Sequence, residues 1–171
     1  MNLGELYMAQ GRPADALRRL QSARQQFERL NNPMEVGSIL LREAALFERI
    51  GILNEARRSY ASAYACFTDR QMWPQVGHVL LQGAIVNRRY GEYKQAIQLL
   101  TEATALWQRL QQPTWERLVY LEYTALYLAN GNINDAIATL TTHFTEPTLF
   151  IANPALQTRY QLLWAEIHTF C

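Results

Sequence analysis

The segment GEYKQAIQLLTEA, residues 91–103, contains a spacing that recurs along the sequence. A glycine is followed by alanine five residues later, by a large residue nine later and by a second alanine twelve later. The same glycine position returns every 40 residues. The glycines are Gly11, Gly51, Gly91 and Gly131, and the first alanines are Ala16, Ala56, Ala96 and Ala136. A fixed period of this length is typical of helical arrays, in which each repeat is one structural unit.

Each repeat is predicted to form two helices. Between Pro74 and Gly91, apolar residues recur at spacings of three and four, which is the period of one helix face. Tyr93 to Leu110 shows a second face with the same period. Glycine ends the first helix because it enters the left-handed conformation at little cost. A proline series then begins the next first helix, where a missing N–H does no harm. The series is Pro33, Pro74, Pro113 and Pro154.

The repeats are predicted to lie at about 1–31, with a truncated first helix, and at 34–71, 74–111 and 114–145, followed by a lone helix at 155–170. Together they would form one domain over residues 1–171. Terminal repeats of a solenoid usually carry a polar capping helix. The last helix instead contains Leu162, Leu163, Ile167 and Phe170. We therefore expect a segment of a longer array, or a protein whose uncapped end helices self-associate.

The pattern Gly-x-x-x-x-Ala-x-x-x-[Leu/Tyr]-x-x-Ala resembles the tetratricopeptide repeat (TPR). Leu3-Gly4-Glu5-Leu6-Tyr7 followed by Gly11 also matches that family's spacing. The period exceeds the common repeat of about 34 residues, so the chain resembles the long-helix variety of large bacterial regulatory and signalling proteins. The resemblance implies an all-α, right-handed α-solenoid of antiparallel helix pairs. It does not identify a partner, because such repeats are scaffolds for many functions.

Composition excludes several other classes of protein. The formal net charge is +1, whereas nucleic-acid binders usually carry a marked excess of Lys and Arg. Two cysteines cannot build a disulfide framework, and a reducing cytoplasm is the expected compartment. No apolar run approaches the roughly 18 residues that a membrane span requires. The first residues show no basic stretch followed by an apolar one, so no signal peptide is expected.

The sequence contains no phosphate-binding loop, no His-Glu-x-x-His and no Gly-x-Ser-x-Gly. His78, His143 and His168 belong to different repeats, so converging metal ligands are not indicated. We therefore expect no catalytic residue, no metal and no cofactor.

The resemblance implies that the first helix of each pair lines an inner groove. The corresponding positions hold Ser38, Leu41, Ala45, Glu48 and Arg49 in one repeat, His78, Leu81, Ile85, Arg88 and Arg89 in the next, and Leu118, Leu121, Ala125, Leu128 and Ala129 in the one after. The groove is therefore predicted to be basic in its middle and apolar further on. Arg49, Arg88 and Arg89 could clamp a carboxylate or an acidic peptide. Alternatively, they merely interact with the negative ends of their helices.

These observations predict a non-catalytic module that binds a protein or peptide and forms a regulatory part of a larger protein. A second hypothesis is a domain that senses a small-molecule or peptide effector, with a pocket near Asn87. Asn87 occupies a position that holds Tyr7, Phe47 and Tyr127 in other repeats, and a polar group there must find a partner or face solvent. A third is a purely structural spacer.

Overall fold

The computed structural model describes residues 13–145 and 153–170, and within these ranges it contains eight α-helices and no strand. The helices are α1 (Pro13–Arg29), α2 (Pro33–Arg49), α3 (Leu53–Thr68), α4 (Trp73–Tyr90), α5 (Tyr93–Arg109), α6 (Pro113–Ala129), α7 (Ile133–His143) and α8 (Pro154–Phe170). The all-α prediction is confirmed. The partial helix predicted before Gly11 lies outside the described residues.

The chain divides into two compact units, residues 1–90 and 91–171. In the first unit α2 packs against α1 and α3, and α3 also packs against α4. In the second unit α6 packs against α5 and α7, and α8 packs against both α6 and α7. Short turns join α2 to α3 and α6 to α7, so each of these two pairs is antiparallel.

The glycine turns have the conformation that the sequence predicted. Gly51 and Gly131 adopt φ values of 79° and 78°, in the left-handed region that favours glycine. The N–H after each glycine closes the turn by donating to the carbonyl five residues earlier. Ile52 donates to Phe47 O and Asn132 to Tyr127 O, both at 2.8 Å. This is the Schellman arrangement, which satisfies carbonyls at the helix end.

A second set of turns has the same geometry without glycine. Asn31, Gln71 and Gln111, again 40 residues apart, have φ values of 49°, 55° and 54°. The next N–H again donates five residues back, for example from Gln112 to Trp107 O at 3.0 Å. The left-handed conformation costs a residue with a Cβ roughly 1–2 kcal/mol. In the sequence, only the prolines that begin the following helices indicated turns at these positions.

The alanine of each repeat lies where two helices pack. Ala56, Ala96 and Ala136 are fully buried, and the large residues that follow them, such as Phe67 and Trp107, fill the adjacent core. Gly37, near the start of α2, lies at another close contact between helices. A Cβ built on Gly37 would lie 2.9 Å from the Phe67 ring of α3. The absence of a side chain at Gly37 therefore permits the approach of α2 and α3.

The last helix contributes its apolar residues to the core of the second unit. Leu163 and Ile167 are buried in a cluster with Leu121 and Leu140. Leu162 remains exposed, and the Phe170 side chain lies outside the described residues. The apolar surface that the sequence assigned to self-association is therefore smaller than expected, because two of its four members pack inward.

Candidate functional site

The first unit contains a cleft of about 370 Å³ between α2 and α4. Four of its lining residues lie on one face of α2, at the spacings of three and four that a helix face requires. Three come from α4 and one from α3. They are Leu41, Ala45, Glu48 and Arg49, then His78, Gln82 and Arg89, and Tyr60. Six of these eight occupy positions that the sequence assigned to the groove.

An ion pair crosses the cleft, and a tyrosine hydroxyl hydrogen-bonds to its carboxylate. Arg89 Nη1 donates to Glu48 Oε1 at 2.6 Å, which joins α4 to α2. Tyr60 Oη donates to the other carboxylate oxygen, Oε2, at 3.3 Å. Burial and the neighbouring Glu48 charge raise the pKa of Tyr60 far above its ordinary value, so the phenol stays protonated as a donor. Both oxygens of Glu48 are thus held in place.

The remaining charge in the cleft is positive. Arg89 and Glu48 offset each other, whereas exposed Arg49 makes no hydrogen bond or ion pair with any described residue. Burial lowers the pKa of His78, which is therefore neutral near pH 7. The guanidinium of Arg49 is available to an anion, next to the neutral donors and acceptors of His78 and Gln82.

The structure separates the other candidates of the first unit from this cleft. Leu81 is buried, and Ile85 and Arg88 are half-buried without lining the cleft. Asn87 is also buried, and its Nδ2 donates to the Gly83 carbonyl one turn earlier at 2.7 Å. The polar group expected to mark a pocket is therefore satisfied within its own helix.

The candidates of the second unit are mainly packing residues. Leu121 and Leu128 belong to the buried cluster that includes residues of α8, and half-buried Ala125 packs against it. Assignment by repeat position placed them in an apolar groove. Repeat position alone did not predict that α8 packs against α6 and buries these residues.

Two lining residues were not predicted from the sequence. Tyr60 occupies the position that holds Leu20, Leu100 and Leu140 in other repeats. A hydroxyl at an otherwise apolar position was the one sequence feature that could have identified it. Gln82 lies one turn after His78 on α4 and one turn before Ile85, and no feature of the sequence distinguished it.

Within residues 13–145 and 153–170, no three His, Cys, Asp or Glu side chains lie close enough together to hold a metal ion. No helix in the same ranges is both long and apolar enough to cross a bilayer.

No protein-family model and no curated protein matches the chain. Solved structures of TPR-like repeat proteins do. BtubC (BKLC) from P. vanneervenii superposes on 90% of this chain with a TM-score of 0.75 and 19% identity, and the chain spans 62% of BtubC's length. A putative kinesin light chain with nearly identical TPR-like repeats from Podospora anserina covers 98% of this chain, with a TM-score of 0.71 and 16% identity; the match spans 90% of that chain. A single-substitution variant of that kinesin light chain has the same coverage and identity, with a TM-score of 0.73. At these identities the likeness establishes the TPR-like repeat fold.

Proposed function

We propose that the chain is a non-catalytic binding module that takes an acidic peptide segment of a partner protein in the cleft between α2 and α4. The TPR-like fold supports this role, because such repeats commonly serve as protein-interaction scaffolds. The resemblance to large bacterial regulators supports a regulatory part of a larger protein. Low cysteine usage supports a cytoplasmic setting.

The uncompensated guanidinium of Arg49 is the observation that carries the proposal. A carboxylate can pair with it through two parallel N–H donors. Arg89 cannot offer its full charge, since it is already paired with Glu48 at 2.6 Å. Arg49 therefore provides the main attraction, while Arg89 and Gln82 provide further donors on the facing helix. Leu41 and Ala45 provide an apolar wall against which the body of a peptide side chain can pack.

Isothermal titration calorimetry with a peptide of six glutamates tests the proposal. We expect Arg49→Glu to weaken binding about tenfold or more, the range for a lost charge-assisted hydrogen bond plus repulsion. Arg42→Glu is the matched control, because Arg42 is exposed on the same helix but does not line the cleft. Equal loss in the two variants would mean that the peptide responds only to overall charge. No binding by the unmodified chain would refute the proposal.

The volume of the cleft also favours a second candidate, a sensor of a small effector. About 370 Å³ lies within the range of small-molecule pockets. A free dicarboxylate such as glutarate would then raise the melting temperature as strongly as the glutamate peptide, and Arg49→Glu would abolish both effects. The peptide-binding role predicts stabilisation by the peptide alone.

A further inference from the structure

The second unit contains another cleft, of about 530 Å³, lined by α5, α6 and α7. None of the groove residues predicted from the sequence lines it. Three tyrosines of α6, at spacings of three and four, form one side: Tyr120, Tyr123 and Tyr127. Their ring centroids are 6.4 Å and 6.1 Å apart, and His143 of α7 stacks on Tyr120 at 3.5 Å. The cleft is thus lined by a row of aromatic rings.

The three threonine hydroxyls of this cleft each donate a hydrogen bond to a backbone carbonyl of their own helix. Thr101 donates to Ile97 O and Thr104 to Leu100 O, both at 2.9 Å. Thr139 donates to its own helix in the same way, at 2.8 Å. A hydroxyl has one hydrogen and two lone pairs, so these three side chains can offer a ligand only acceptors.

Two of the three tyrosine hydroxyls also donate their hydrogen within the protein. Tyr120 Oη donates to Glu116 Oε1 at 3.2 Å. Tyr123 Oη lies 2.8 Å from Thr101 Oγ1, and because the hydrogen of Thr101 points to a carbonyl, Tyr123 is the donor. The oxygens of these two tyrosines therefore face a ligand as acceptors, like those of the threonines.

Charge at this cleft is negative. Glu116 lies at its edge, where its Oε1 also accepts from Gln108 Nε2 at 2.7 Å. Burial, and then the charges of Tyr123 and Asp135, raise the pKa of Tyr127, which places Asp135 within electrostatic reach of the cleft. Burial lowers the pKa of His143, so that ring is neutral near pH 7. No lysine or arginine is among the residues that line this cleft in the described part of the chain.

We propose that this tyrosine cleft binds an arginine side chain of a basic segment in a partner protein. A guanidinium has five N–H donors and no acceptor, which suits the threonine and tyrosine oxygens whose hydrogens are already donated elsewhere. It is planar and stacks on aromatic faces, and cation–π attraction adds to the stacking. Glu116 and Asp135 complement its charge. This site shares no lining residue with the acidic-peptide cleft, and the proposal does not rest on that cleft.

Calorimetric titration with hexaarginine and hexacitrulline tests the charge requirement, because citrulline keeps the planar shape and loses the charge. We expect hexaarginine to bind and hexacitrulline to show no measurable binding. Tyr123→Leu should weaken hexaarginine binding about fivefold or more, as expected for loss of a cation–π face. Tyr123→Phe, which keeps the ring, should stay within about twofold of the unmodified chain. Circular dichroism melts confirm that both variants are folded.

Two matched glutamate variants distinguish binding at this cleft from general attraction of hexaarginine to acidic surface. Glu116→Gln should weaken hexaarginine binding, whereas Glu166→Gln, an exposed position on α8, should not. Arg49→Glu should leave this binding unchanged, which distinguishes failure here from failure of the acidic-peptide cleft. Failure of hexaarginine to bind, equal binding of hexacitrulline, or full affinity in a folded Tyr123→Leu protein would each overturn the proposal.

Discussion

Arg89 on α4 and Glu48 on α2 form an ion pair of 2.6 Å across the cleft of the first unit. The pair links two helices that are not consecutive in the chain, and Tyr60 on the intervening α3 holds the second carboxylate oxygen. Only part of each side chain is exposed, so the pair is screened less than a surface pair. It therefore sets how much positive charge the cleft can offer an anion.

Removing the charge of Glu48 should strengthen the binding of acidic peptide. Glu48→Gln keeps an oxygen that can accept from Arg89 and Tyr60, and it releases the full guanidinium charge of Arg89 to a ligand. We expect affinity for hexaglutamate to rise about threefold to tenfold at low salt, with the gain shrinking as salt screens the charges. Calorimetry at two ionic strengths measures both effects. Unchanged or weaker binding in a folded Glu48→Gln protein would argue against Arg89 as part of the site.

Binding of acidic peptide should depend on the protonation of His78. Burial lowers the pKa of His78, so the free protein holds it neutral at pH 7. A bound anion favours the protonated ring, and affinity should therefore rise as the pH falls below neutral. His78→Gln should remove this rise without reversing it. A pH dependence that survives His78→Gln would assign it to another group.

The close approach at Gly37 should make this position intolerant of a side chain. Gly37→Val places new atoms against the ring of Phe67, which is buried in the core. We expect the free energy of unfolding to fall by about 1–3 kcal/mol, as in other overpacked cores. In urea denaturation, the Gly37→Val/Phe67→Leu double variant should lose less than the sum of the two single losses. Strict additivity would show that the ring is not the obstacle.

The buried carboxyl of Glu43 should give stability a distinct pH dependence. Burial raises the pKa of Glu43 above its ordinary value of 4.5, although Arg24 Nη1 lies 3.3 Å from its Oε2 and partly opposes the shift. A raised carboxyl pKa in the folded state means that stability is lost as pH rises through the window above 4.5. The stability of Glu43→Gln relative to the unmodified chain should therefore increase with pH across that window.

Urea denaturation at a series of pH values measures this difference. Arg24→Met is the matched variant, because removing the opposing charge should raise the pKa of Glu43 further and deepen the loss of stability. The stability of Glu43→Gln relative to the unmodified chain could instead stay constant or fall as the pH rises. Either result would contradict a raised pKa for Glu43.

Local sequence signals predicted the features that depend on local geometry. The period located the turns at Gly51 and Gly131 and the buried residue Ala136, because a left-handed turn and a close helix crossing each restrict the residue type. Asn31 and Gln71 adopt the same left-handed conformation, yet residues with a Cβ carry no comparable signal.

The site required information beyond the period. Arg49, His78 and Arg89 were assigned to one groove and do line one cleft. The neutralisation of Arg89 by Glu48 depends on side-chain conformations that repeat positions do not specify. The burial of Leu121 depends on a helix packed from later in the chain. Such tertiary contacts override a face assignment made within one helix.

Nuclear magnetic resonance of the arginine side-chain Nε–Hε groups tests whether Arg49 and Arg89 bind an acidic peptide. During titration with hexaglutamate, we expect saturable shifts of the Arg49 and Arg89 resonances, with those of Arg42 and Arg58 unchanged. Arg42 and Arg58 serve as internal controls, because both are exposed and neither lines the cleft. Shifts of similar size in all four resonances, or none at Arg49, would contradict the assignment of this cleft as the binding site.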